Sequence, residues 1–137
     1  MKATSLKIHT KLAAGATASG DASTRIHQKL APPGVAFPMV VFQKAGGDNR
    51  YTFGNTKVAV RLVYLVKAID QSFDSDVAEG IMDDVETDLH DADLSVTGYN
   101  TANCRRQRDL PSYSEVVDGK PYQYEGAYYE IELTPSA

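Results

Sequence analysis

The segment "CRRQR", Cys104 to Arg108, holds the residues best placed for chemistry. A thiol beside two guanidinium groups gains thiolate character, and a row of arginines suits phosphate or carboxylate recognition. Nucleophilic catalysis also needs a base, and no Cys/His motif accompanies Cys104. The cysteine is therefore read as a buried or half-buried strand residue. On an extended strand, Arg106 and Arg108 share a face with Cys104, while Arg105 and Gln107 point the other way. Three uses of this basic row stay open: pairing with acidic side chains of the same chain or plain exposure, contact with a neighbouring subunit, or contact with DNA.

The acidic run from Asp83 to Asp93 invites a metal reading. Asp91 and Asp93 have calcium-loop spacing, but the sixth position is Val96 where such loops need glycine, and no glutamate closes the loop. The run is read as a solvated helix face. His9, His27 and His90 lack metal-ligand spacing. "AGGDN" has no phosphate-loop lysine, and neither GxSxG nor GxGxxG occurs. The expectation is a protein that is not an enzyme and has no cofactor and no metal.

Composition sets the frame for these residues. A chain of 137 residues, 42% hydrophobic and 23% charged, makes one domain, 1–137, around one core. A formal net charge of −4 argues against wholesale nucleic-acid binding but leaves room for a local basic patch. A single cysteine excludes an intramolecular disulfide and fits synthesis in a reducing cytoplasm. No apolar run is long enough to cross a membrane. The N-terminal "MKATSLKIHTKLAAGATASGD" is not a signal peptide, because Lys7, His9 and Lys11 break its apolar stretch.

The elements follow from periodicity. Leu6, Ile8, Leu12 and Ala13 give a loose, short N-terminal helix with Thr4 or Ser5 as cap. Small polar residues make 15–23 a flexible loop, and "TRIHQKL" reads as extended. "APPG" is a turn, since Pro32 and Pro33 fix φ and Gly34 accepts a positive φ. Pro38 then opens the strand "MVVFQ" and is expected to shield a sheet edge. Residues 46–55, "GGDNRYTFGN", read as a second flexible loop or a wide hairpin connection.

"KVAVRLVYLVKAI" places Val58, Val60, Leu62, Tyr64 and Val66 on one face, the signature of a long central strand. Val77, Ile81, Val85 and Leu89 recur every four residues, so the main amphipathic helix spans about 74–90, capped by Asp74 or Asp76. "LSVTG" leads into the "ANCRRQRDL" strand, "SYSEVVDG" turns at Asp118–Gly119, and "DGKPYQYEG" is turn-rich. The chain ends on a strand alternating Tyr128, Glu130 and Glu132 with Tyr129, Ile131 and Leu133. The fold class is α+β: a mostly antiparallel sheet with both helices packed on one face.

In order, "RIHQKLAPPGVAFPMVVFQ", "YLVKAID", the amphipathic helix, "LSVTG", "RRQRD" and "YSEVVDGKPYQYEGAYYEIEL" resemble the tail completion, or tail terminator, proteins of long-tailed bacteriophages and prophages. The resemblance is strongest over 24–133; the N-terminal segment departs from it, since many relatives carry a longer helix there. It implies a virion structural protein that forms a homo-hexameric ring on the head-proximal end of the tail tube. Such a ring stops tube polymerisation and allows head attachment. The implied partners are further copies of the chain, the tail tube protein and a head–tail connector or stopper protein, with passing contact to DNA in the lumen and no membrane. Candidate subunit or tube contacts are Arg50, Tyr51 and Phe53 in the 46–55 loop, Arg105, Arg106 and Arg108 in the basic row, and Tyr122 and Tyr124 near the last turn. A head-closure component of the neck is the alternative, and a small-ligand-binding α+β domain a more distant one.

Overall fold

A computed structural model describes residues 2–20, 25–29, 34, 36–51, 53–54 and 56–135. Among them the order of elements is α1 (Lys2–Ala14), α2 (Ala16–Ser19), β1 (Ile26–Gln28), β2 (Met39–Tyr51), β3 (Lys57–Asp70), α3 (Asp76–Leu89), β4 (Ala92–Asp93), β5 (Tyr99–Asp109), β6 (Tyr113–Val117) and β7 (Lys120–Pro135). The strands form one sheet in the order β1-β2-β3-β7-β5-β4, with β6 also paired to β7. Only the β1–β2 pair is parallel among the described strands. The α+β architecture read from the sequence is the one observed.

β3 is central, as its unbroken apolar face requires. Val60, Leu62, Tyr64, Val66 and Ala68 are buried in one core with Tyr129, Ile131 and Leu133 of β7 and Phe42 of β2. Helix α3 covers this face with Ala78, Ile81, Met82, Val85 and Leu89. Its first turn departs from expectation by one residue: Ser75 is the N-cap, and the Asp74 carboxylate accepts the Asp76 amide at 3.2 Å.

The N-terminal helix is longer than its loose pattern suggests, and it is seated differently. Ile8 and Leu12 are buried, whereas Leu6 and Ala13 are exposed. Thr4 and Ser5 are buried inside α1 and not at its cap. The Ser5 and Tyr64 hydroxyls share a hydrogen bond of 2.8 Å, so a polar contact ties α1 to the central strand.

The 15–23 loop contains the single turn α2, which an acidic residue of α3 organises. Asp88 Oδ1 accepts the Ala16 amide at 2.7 Å and Oδ2 accepts the Thr17 amide at 2.9 Å. A Cβ on Gly15 would overlap that carboxylate, so glycine is required for the approach. Asp88 is therefore a buried cap and not part of a solvated acidic face. Asp91 lies past the end of α3, with φ 57°.

Residues 46–51 depart from the loop reading and follow the hairpin one, with more pairing than a wide connection implies. Pairing of β2 with β3 continues from Met39↔Ile69 to Tyr51↔Lys57, with irregularities at Lys44/Gly46 and Arg50/Tyr51. The glycine-rich stretch lacks β propensity of its own; its partner strand supplies the ladder. A Cβ on Gly47 would lie 2.6 Å from the Arg61 carbonyl oxygen, so the strands approach more closely there than a side chain allows. The remaining differences are smaller. Residues 94–98 are a connection with buried Leu94 and Val96, and the paired strand is Ala92–Asp93 just before it. Lys120–Gly126 lie within β7, so only Asp118–Gly119 turns.

The proline-led strand is not an edge where it begins. β1 pairs with Val40–Phe42 on one side and β3 on the other. The Val40 amide donates to the Arg25 carbonyl at 2.9 Å, and Arg25 Nε donates to the Pro38 carbonyl at 2.6 Å. Pro38, after a cis peptide bond, thus opens a strand flanked on both sides. The edge-shielding role fails for that reason. Pro32 and Pro33 lie outside the described residues.

Candidate functional site

The sequence-predicted residues fall into three places on this frame. Arg50, Tyr51 and Phe53 stand on a two-stranded arm. Leu133 of β7 meets Val60 of β3, and the register does not extend to Lys57–Ala59 among the described residues. The β2–β3 hairpin therefore projects beyond that end of the sheet. Arg50 is exposed there, as are Tyr51 (55%), Phe53 (111%) and Val58 (44%). Val58 was expected in the core; it leaves it because the arm has outrun its covering layer.

Tyr122 and Tyr124 lie near the opposite end of β7, next to the β6–β7 turn. Asp118 and Gly119 both have positive φ, 52° and 77°, as a tight two-residue hairpin requires. Both tyrosines are half-buried and engaged within the chain. The Tyr122 ring meets Phe37 edge-on, with centroids 5.4 Å apart. The Tyr124 ring lies 5.5 Å from that of Tyr113, and its hydroxyl donates to Glu115 Oε1 at 2.6 Å. Burial, then the Glu115 carboxylate, pushes the Tyr124 hydroxyl up to about 12. The exposed apolar residues here are Tyr113, Val116 and Val117, which sequence reasoning missed. The adjacent valines break the alternation that marks a half-buried strand, and that was the available signal.

A cavity of about 240 Å³ opens between β5 and β6, where the chain changes partners along β7. Lys67, Leu110, Pro111, Tyr113 and Tyr124–Gly126, with Glu125 among them, line it. A Cβ on Gly126 would crowd Leu110 Cδ1 at 2.9 Å, so the glycine lets Leu110 pack across β7.

The basic row occupies the third place, and a bulge splits it. Arg106 pairs with Tyr129 and Arg108 with Tyr128, leaving Gln107 as the extra residue. Cys104 and Arg106 consequently face the helix side, while Arg105 and Arg108 share the outer face. The expected pairing of Arg106 with Arg108 on one face is overturned by that single insertion. Arg106 donates to Glu86 of α3 at 3.0 Å and to Asp109 at 2.6 Å, so it is held inside the chain. Its backbone amide donates to His90 Nδ1 at 3.2 Å. Arg108 lies 5.1 Å above the Tyr128 ring, and Arg105 is exposed. The outer face is of mixed charge, for Arg61 bridges Asp48 at 3.7 Å and Glu130 at 3.8 Å. Cys104 is fully buried, and burial raises its thiol to about 12, the reverse of an activated nucleophile.

Residues 7–114 match the protein family described as "Tail completion protein gp17". The chain belongs to that family. Membership makes it a structural protein of a phage-type tail. Among 32 matching chains of solved structures, one from the virion of a native gene transfer agent particle has a TM-score of 0.67. That likeness covers 93% of this chain and 91% of the other, at 14% sequence identity, and shows a shared fold. No curated protein matches the chain. In this tail completion protein the exposed large apolar side chains fall in the β2–β3 arm and the β6 strand, with Leu6 on α1 and Phe73 before α3 apart from both, and the arginine most deeply placed in the basic row already has its partners.

Proposed function

We propose that the chain caps the head-proximal end of the tail tube as a ring of six copies, stops tube polymerisation and presents the surface to which the head attaches. Family membership supplies the tail setting. The observation that carries the ring is the pairing of two unlike exposed ends on one protomer: the Arg50–Tyr51–Phe53 arm and the Tyr113–Val116–Val117 hairpin. A cyclic assembly joins unlike surfaces head to tail, and a protomer with dissimilar ends suits that geometry. The tail tube protein and a head–tail connector are the partners on the ring's two faces. Arg105 and Arg108, on the outer sheet face, are the arginines available to subunits or to DNA in the lumen.

The test adds the purified protein to polymerising tube subunits and images tube length and ends by electron microscopy. Tubes that stop with a ring at one end are the expected outcome. Tubes that grow on uncapped sink the reading and move the protein to the head side of the neck.

A further inference from the structure

We infer that Phe53 at the tip of the β2–β3 arm inserts into the Leu110–Tyr113 cavity of a second copy of this chain. The inference rests on the ring reading for the presence of a neighbouring copy. Four observations carry it.

The first is fit. Phe53 is fully exposed, and the cavity of about 240 Å³ exceeds the roughly 150 Å³ that holds one benzene ring. Tyr113 and Tyr124 offer aromatic faces, and the Lys67 ammonium can sit over an inserted ring. The second is charge. Arg50 and Lys57 flank Phe53, and neither has an ion pair among the described residues. Beside the cavity, Glu115 accepts from the Tyr124 hydroxyl and Glu125 from the Ser112 hydroxyl at 2.6 Å, and neither carboxylate has a cationic partner among the described residues. Lys67 in the cavity lining also has no ion pair among the described residues, so the two cations of the arm meet a rim of two carboxylates and one ammonium, which keeps one negative charge in excess.

The third is reach. The β3 stretch from Lys57 to Lys67 spans roughly 33 Å at the strand rise, and Phe53 lies beyond Lys57. The arm cannot fold back into the cavity of its own chain. The fourth is direction. The β3–β7 register puts arm and cavity at different levels along β7, so the two are separate surfaces, as a head-to-tail contact needs.

The test replaces Phe53 in the full-length chain with the photoreactive benzoylphenylalanine, which keeps the aromatic ring. The protein is irradiated in concentrated solution and on tube ends, and attached peptides are mapped by mass spectrometry. The expected result is a ladder of cross-linked copies with attachment within Leu110–Tyr113 or Tyr124–Gly126. Lys57→Glu should lower the yield severalfold, and Glu125→Lys in the partner should restore it. Both changes are at the surface, and circular dichroism verifies the fold. Attachment elsewhere on the chain, or to the tube protein, overturns the inference. So does the absence of adducts where wild-type rings cap the tubes, and the ring reading then survives. Adducts at the cavity with tubes left uncapped would keep the inference and sink the tube-capping reading.

Discussion

Asp88, in the last turn of α3, accepts the backbone amide of Thr17 at 2.9 Å across a separation of 71 residues. Its other oxygen takes the Ala16 amide at 2.7 Å. This carboxylate joins the N-terminal helices to the helix that covers the sheet, and it stabilises the start of α2 as a cap from outside that helix. Asp88→Ala should cost roughly 1–3 kcal/mol, because two sheltered amides lose their acceptor. Urea unfolding followed by circular dichroism checks this. Gly15→Ala should also destabilise, by pushing a methyl group into the carboxylate. The double variant should lose less than the sum, since one contact is removed twice.

The Ser5–Tyr64 hydrogen bond makes a similar prediction inside the core. Both groups are buried, so Ser5→Ala removes this contact from the core and should cost about 0.5–1.5 kcal/mol. In a Tyr64→Phe background the same change should cost less. A double-mutant cycle measured by denaturant unfolding isolates the coupling; equal cost in both backgrounds would refute it.

The parts of the fold legible in sequence are those where one period runs without interruption. Val60 to Ala68 alternates, and Val77 to Leu89 repeats every four residues, so β3 and α3 follow directly. The positive φ at Asp118–Gly119 follows from residue type. What stayed hidden depended on a neighbour. The Gly46–Tyr51 strand exists because β3 pairs with it, and Asp88 is buried because Ala16 and Thr17 need an acceptor. The Gln107 bulge has no local marker in "CRRQR", yet it moves Arg108 to the other face. In the candidate site, Arg50, Tyr51 and Phe53 were legible as exposed. Tyr113, Val116 and Val117 were not: the adjacent valines signal that alternation fails in this strand, but not that both lie outside.

Cys104 should be inert in the folded protein. It is fully buried and its thiol is raised to about 12 by burial, so a thiol reagent at pH 8 should label it only after denaturation. The linkage has a definite sign. Folding favours the protonated thiol, so the contribution is fully present below the unfolded value of 9.0 and is lost as pH rises through about 12. Tyr124, raised to about 12 by burial and then Glu115, acts in the same direction from 10.0 upward. Urea midpoints should therefore hold to about pH 9 and then fall. In Cys104→Ala the fall should begin later, and an unchanged profile would remove the cysteine from the account.

The three arginines of the basic row should separate cleanly by alanine substitution. Arg106 binds Glu86 and Asp109 with its side chain only 20% exposed, so Arg106→Ala should cost about 1 kcal/mol after allowance for the exposure of both carboxylates. Arg108 stacks on Tyr128 at 5.1 Å, which is worth about 0.5–1 kcal/mol at an exposed site. Arg105 is exposed on the outer face, and its loss should stay within about 0.5 kcal/mol. Arg106→Lys should recover only part of the loss, because an ammonium lacks the planar fork that reaches two carboxylates at once. Unfolding series at low and high salt check the order, and the Arg106 effect should shrink as salt screens the pairs. If Arg108→Ala proved as costly as Arg106→Ala, the bulge at Gln107 would be misplaced, because without it Arg108 would share the helix side with Arg106. If the order holds, Arg105 and Arg108 are the pair to reverse when tube capping is assayed, because their loss can be read without a folding defect.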